Sequence, residues 1–169
     1  MRGAVVALAA ATLLAAVGCM GTNSLGGSMS EVFPLDVSYV GILRNDSAFQ
    51  VSYYNYNGVG IDLVAQVTVN LDGWNFAAGY DYPLEGALLD GGQRTAVLHL
   101  ASDSPPEPLA DVQLGNLSIG QGGNVGQYTS GSFSMSFVND GGYGGGRDLY
   151  GNFSGQAHDA GYGDGNWPQ

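Results

Sequence analysis

Two histidines, one cysteine and fifteen scattered carboxylates are the groups through which this chain could do chemistry. His99 stands between Leu98 and Leu100 in an apolar run, on the face opposite to both. A strand histidine so placed is satisfied by its neighbours more often than it serves as a base. His158 stands beside Asp159 and ahead of Asp164, but the spacing matches no zinc or calcium ligand set. No G-x-S-x-G elbow, H-E-x-x-H or phosphate loop occurs. The residues therefore read as a non-enzymatic protein with no cofactor and no resident metal. Two stretches place carboxylates among glycines, 139–148 (NDGGYGGGRD) and 159–165 (DAGYGDG), where calcium could meet oxygens. The nine-residue period of calcium-binding repeats is absent, so the first is expected as a hairpin loop.

The cysteine belongs to a different chemistry. Arg2 supplies an early positive charge, and Ala4 to Val17 is apolar apart from Thr12. A run of about 14 residues is shorter than the roughly 20 needed to span a bilayer, and has the form of a cleaved export signal. It ends Leu14-Ala15-Ala16-Val17-Gly18-Cys19, which resembles the lipobox of bacterial lipoproteins. Ala16 stands where that family prefers leucine. The resemblance implies a diacylglyceryl group on the Cys19 sulfur and cleavage before Cys19. Further acyl chains would then hold the protein stably on a membrane. Met20 rather than aspartate after the cysteine implies, by the same resemblance, the outer membrane. Ala16-Val17-Gly18 also fits the small-x-small pattern of the general signal peptidase, which would leave Cys19 a free thiol in a secreted or periplasmic protein. A lone cysteine in an exported chain needs a reason, and lipidation supplies one.

Composition narrows the reading of the chain beyond the signal. The formal net charge is −11, and loss of Arg2 makes it one unit more negative. Such a charge repels nucleic acid and anionic lipid, so no nucleic-acid partner is expected. The expected contacts are the membrane, through the lipid, and an envelope protein partner. Twenty-nine glycines in 169 residues is far above the usual ~7%. With ten tyrosines and few helix formers, this suits strands joined by tight turns.

The elements that must position any site are set by period-two patterns. The chain divides into a signal peptide (1–18), a lipidated cysteine with a flexible tether (19–30), a β domain (31–158) and a disordered glycine-rich tail (159–169). Leu35, Val37 and Tyr39 alternate in a first strand, and Phe49, Val51 and Tyr53 in a second. Ile61 to Leu71 alternates in a third, and Trp74, Phe76, Ala78 and Tyr80 in a fourth. A two-residue turn at Asp72-Gly73 pairs Leu71 with Trp74, Val69 with Phe76 and Val67 with Ala78. A three-residue loop, Tyr56 to Gly58, pairs Asn55 with Val59, Tyr53 with Ile61 and Val51 with Leu63. It requires positive φ at Gly58. Further strands are expected at 95–101, at 112–119, through Phe133, Met135 and Phe137, and through Leu149, Gly151, Phe153 and Gly155. The last two pair across 139–146. The fold is expected to be all-β, an antiparallel β-sandwich or alternatively a small β-barrel, with edges open to strand addition by a partner.

Exposed aromatics give the one candidate ligand surface. Flat rings can stack on the apolar faces of sugars. By this register Trp74 and Tyr80 face the core, leaving Tyr54, Tyr56 and Tyr82 as candidate carbohydrate-binding residues.

Overall fold

The computed structural model describes residues 22–71, 75–85 and 94–160. Among these the protein is all-β, one sheet of ten strands that curls on itself. In chain order the strands are β1 (Ser24–Gly26), β2 (Tyr39–Arg44), β3 (Ala48–Tyr56), β4 (Ile61–Asn70) and β5 (Asp81–Pro83). Then come β6 (Thr95–Leu100), β7 (Glu107–Pro108), β8 (Val112–Gln121), β9 (Tyr128–Phe137) and β10 (Asp148–Asp159). Their spatial order is β5-β8-β9-β10-β2-β3-β4-β6-β7, with β1 also on β10.

β10 joins the two halves. Residues 148–156 pair antiparallel with β9, while Ala157 to Asp159 pair parallel with Ile42 to Arg44 of β2. The halves then face each other across one core. Phe49 of β3 lies 5.8 Å from Phe153 of β10, and Tyr53 lies 5.9 Å from Phe133 of β9. The expected alternation is what fills this core: Phe49, Val51, Tyr53, Val67, Val69, Phe133, Met135, Phe137, Leu149 and Phe153 are all buried. Sandwich and barrel thus meet in a single sheet whose two inner faces close on each other. The glycine stretch 139–146 connects β9 to β10 as expected, with Asp148 opposite Ser136.

Several expectations are corrected. Residues 22–30 are not a tether. Ser24 to Gly26 pair with Asn152 to Tyr150 of β10, a 3-10 turn follows at Ser28–Glu31, and Met29 is fully buried. The folded body therefore includes β1, ahead of position 31. At the other end, β10 runs to Asp159, and the Ala160 N–H donates to the Arg44 carbonyl, so the β domain extends past position 158. Positions 161–169 and the turn at 72–73 lie outside the described residues.

The expected strand through Phe76 does not form. Residues 75–80 carry no strand, Tyr80 is exposed, and β4 pairs instead with β6, Val69 opposite Thr95 and Val67 opposite Val97. Phe76 is buried all the same, against Phe49 at 4.9 Å. The first strand starts at Tyr39 rather than Leu35, and Tyr39 faces outward. In β6, His99 faces inward with Thr95 and Val97, and Leu98 and Leu100 face out.

The β3–β4 register is also different. Asn57 to Gly60 form a four-residue loop. The Asn57 N–H donates to the Gly60 carbonyl, and Asn57 Oδ1 accepts from the N–H groups of Val59 and Gly60 at 2.9 and 2.8 Å. Gly58 has φ 84°, as the turn chemistry requires. Tyr56 then stands opposite Ile61 and Tyr54 opposite Leu63. A loop one residue longer would place the rest of β4 on the wrong face. A bulge restores it: Tyr53 stands opposite Ala65 and Val51 opposite Val67, leaving Val64 without an opposite residue on either neighbour.

The sheet's outer edges are short. β5 has three residues and β7 two, and both end in proline, Pro83 and Pro108. Prolines and brevity blunt an edge against strand addition, so the expected open edges are not what these two strands offer.

Candidate functional site

The bulge at Val64 builds the most distinctive outer surface among the described residues. Residues opposite one another on antiparallel strands share a face. Ala65, Val67 and Val69 share the inner face with Tyr53, Val51 and Phe49. Before the bulge the phase reverses, so Ile61 and Leu63 share the outer face with Tyr56 and Tyr54. Tyr39 joins them across β2, opposite Tyr54, and Leu100 across β6, opposite Leu63. The result is an aromatic and aliphatic platform spanning four strands, exposed at Tyr39, Tyr56 and Ile61 and buried at Leu63. Tyr39 is 44% exposed, Tyr56 64% and Ile61 53%, and Val59 at the adjoining loop tip is 97% exposed. Below the platform the same face carries a buried polar row, in which Gln66 Nε2 donates to Ser52 Oγ at 3.1 Å and Gln50 Nε2 to Thr68 Oγ1 at 2.9 Å.

His99 holds the bulge in place from the inner side. Its Nδ1–H donates to the Val64 carbonyl at 2.9 Å, the group that a bulge leaves without a ladder partner. The ring stacks on Phe33 at 3.9 Å and 12°. This is a satisfied core histidine with a structural task.

A polar rim borders the platform. Asp62 accepts from the Ser102 N–H at 2.8 Å and from Asn57 Nδ2 at 2.9 Å. The Ser102 backbone bond is the main cause that holds the Asp62 carboxyl below its ordinary range, with Asn57 adding to it. Ser38 Oγ donates to Asn55 Oδ1 at 3.0 Å and accepts from the Tyr56 N–H. The rim fixes the loop and the ends of β2 and β3, and so the positions of Tyr39 and Tyr56.

Of the candidate sugar-binding tyrosines, the structure brings two together and removes the third. Tyr54 and Tyr56 lie on the platform. Tyr54 is only half-exposed, and its ring stacks on Tyr39 with centroids 4.8 Å apart at 16°. Tyr82 belongs to the core and is corrected as a ligand residue. It is 3% exposed, packs on Phe76 at 4.7 Å, and its hydroxyl accepts from the Ala77 N–H and donates to the Ala77 carbonyl. Tyr39 and Ile61 are platform residues that sequence reasoning placed inside. Cys19, the lipidation candidate, lies outside the described residues.

The remaining chemical candidates do not converge. His158 is exposed beside Leu43 of β2. In the 139–148 loop, Asp140 Oδ1 accepts from the Gly142 N–H, the Tyr143 carbonyl accepts from the Ala110 N–H, and Gly144 packs on Met29. Among the described residues no three His, Cys, Asp or Glu side chains gather as a metal site. Two open clefts lie among the described residues. One of about 580 Å³ is bounded by Ala77, Gln121, Asn124, Gln127 and Tyr128, and one of about 460 Å³ by Thr22, Gly120, Ser130, Ser132 and Asn152. Neither brings a histidine or a carboxylate to its wall.

Comparison with protein-family models, with curated proteins and with solved structures returns no match.

Proposed function

We propose that this chain is a lipid-anchored protein of the bacterial cell envelope, held at the outer membrane by Cys19, whose β body is a non-enzymatic module that binds a protein partner. The observation that carries the interaction reading is the platform of Tyr39, Tyr54, Tyr56, Ile61 and Val59. An acidic protein that exposes Tyr39, Tyr56, Val59 and Ile61 together at one end of the sheet has a use for them. Two features favour a protein partner over a sugar. The stacked Tyr39–Tyr54 pair spends ring faces on itself, and the most exposed neighbours, Val59 and Ile61, offer no flat surface or hydroxyl partner.

The anchor reading rests on the lipobox-like end of the leader. Mass spectrometry of the mature N-terminus tests it directly: an acylated Cys19 is expected, and an unmodified Cys19 refutes the anchor. A glycan array tests the partner class. The expected result is no binding, and sugar binding lost in Tyr56→Ala would move the function to carbohydrate recognition.

A further inference from the structure

The place where the chain leaves the body fixes how a Cys19-anchored molecule must stand, an inference that rests on the anchor proposed above. Thr22 is exposed and lies beside Gly120, Ser130, Ser132 and Asn152. These are outward positions of β8, β9 and β10, since Ile119, Phe133 and Phe153 next to them point into the core. Asn23 is fixed there, its Oδ1 accepting from the Ser154 N–H at 2.7 Å, and Ser24 begins β1. Cys19 and Thr22 are separated by three peptide steps, so their α-carbons lie at most ~11 Å apart.

The tyrosine platform is on the other side. Phe49 and Tyr53 of β3 meet Phe153 and Phe133 of β10 and β9 across the core, so the outer faces of these two halves stand back to back. Packed sheets are about 10 Å apart and outward side chains add several ångströms on each side, which puts the platform roughly 20 Å from Thr22. A link of ~11 Å cannot let the platform reach the bilayer that holds Cys19.

We infer that the outer face of β8–β10 rests on the lipid headgroups and that the tyrosine platform is presented away from the membrane. The centre of this face is uncharged. In a chain with 15 acids and four basic residues, the central outward positions Asn116, Ser118, Ser130, Ser132, Ser134 and Asn152 carry no charge. Carboxylates border this row, Asp81 accepting from the Ser118 hydroxyl and Asp148 opening β10, so it is the neutral centre of the face that meets the headgroups.

The test places an encoded fluorescent amino acid at position 132 or, separately, at position 61 of the membrane-purified protein. The protein is reconstituted in phosphatidylethanolamine–phosphatidylglycerol vesicles carrying a headgroup nitroxide. Quenching several-fold stronger at 132 than at 61 is expected. Stronger quenching at 61, or equal quenching at both, overturns the orientation. The mass of the N-terminal peptide from the same sample reports the anchor separately. If it shows no acyl chains, the anchor reading fails, and the two positions are then read on a chain bearing a synthetic diacyl group on the Cys19 thiol, with the same outcomes deciding the orientation.

Discussion

Tyr53 shows how far a single residue can be understood from its alternation alone. Its spacing from Phe49 and Val51 places it in the core, and it is fully buried there. What the alternation does not carry is the fate of its hydroxyl, which has no hydrogen-bond partner among the described residues. Burial pushes the phenol far above its ordinary value of about 10. The sign comes from linkage: the unfolded chain ionises first, so this contribution is complete below pH ~10 and is lost as the pH rises beyond it. Tyr53→Phe removes both the orphaned hydroxyl and the titration. Urea unfolding is expected to show a gain of about 1–2 kcal/mol at neutral pH and a wider gap above pH ~10. A loss of stability at neutral pH would mean that the hydroxyl has a partner. Tyr82 and Tyr39 mark where residue-level reading stops. Alternation from Leu35 puts Tyr39 on the inner face, but its side follows from its register opposite Tyr54, and no strand is expected through Tyr82. Tyr39 opens β2 instead of continuing a strand from Leu35, and Tyr82 sits in a short edge strand with its hydroxyl turned to the Ala77 backbone.

At the scale of elements, β3 and β4 carry the platform through a feature that local sequence does not announce. The apolar set Ile61, Leu63, Ala65, Val67 and Val69 has an unbroken period of two, which reads as one face. The bulge at Val64 divides it between two faces. Turn chemistry was legible in part: Gly58 takes the positive φ its position demands, but the two bonds to Asn57 Oδ1 lengthen the loop by one residue. The compensating bulge depends on His99, thirty-five residues further on in the chain, and nothing near Val64 encodes that contact. The division can be measured by thiol labelling of single-cysteine variants. Ile61→Cys is expected to react freely in the folded protein and Ala65→Cys to be protected. Equal protection at both would return the strand to one face. His99→Leu leaves the Val64 carbonyl unpaired and is expected to cost about 1–3 kcal/mol, with faster labelling of the Ala65→Cys variant made in that background. Unchanged stability and labelling would show that the bulge stands without the histidine.

For the molecule as a whole, class and core were legible, and connectivity was only partly so. Strands around Phe49, Val67, Val97, Leu117, Phe133 and Phe153 emerge from period-two burial, which composition and turn residues support. That β10 would bridge both halves, antiparallel to β9 and parallel to β2, depends on non-local pairing that no short pattern specifies. The same holds for β1, whose three residues have no alternation to read and pair with Asn152, Gly151 and Tyr150. These long-range pairings give the molecule its sidedness, with the chain's exit on the outer face of β8–β10 and the tyrosines on that of β2–β4. On the function proposed, a partner meets a face of the sheet rather than the short, proline-ended edges β5 and β7.

The most direct measurement of that claim is photo-crosslinking in the native envelope, with a photoreactive amino acid replacing Tyr56 in one strain and Ser132 in another. The account predicts a discrete protein adduct from position 56 that disappears when Ile61→Asp is added, and no protein adduct from position 132. Adducts of equal yield from both positions, or an adduct at 56 indifferent to Ile61→Asp, would contradict it.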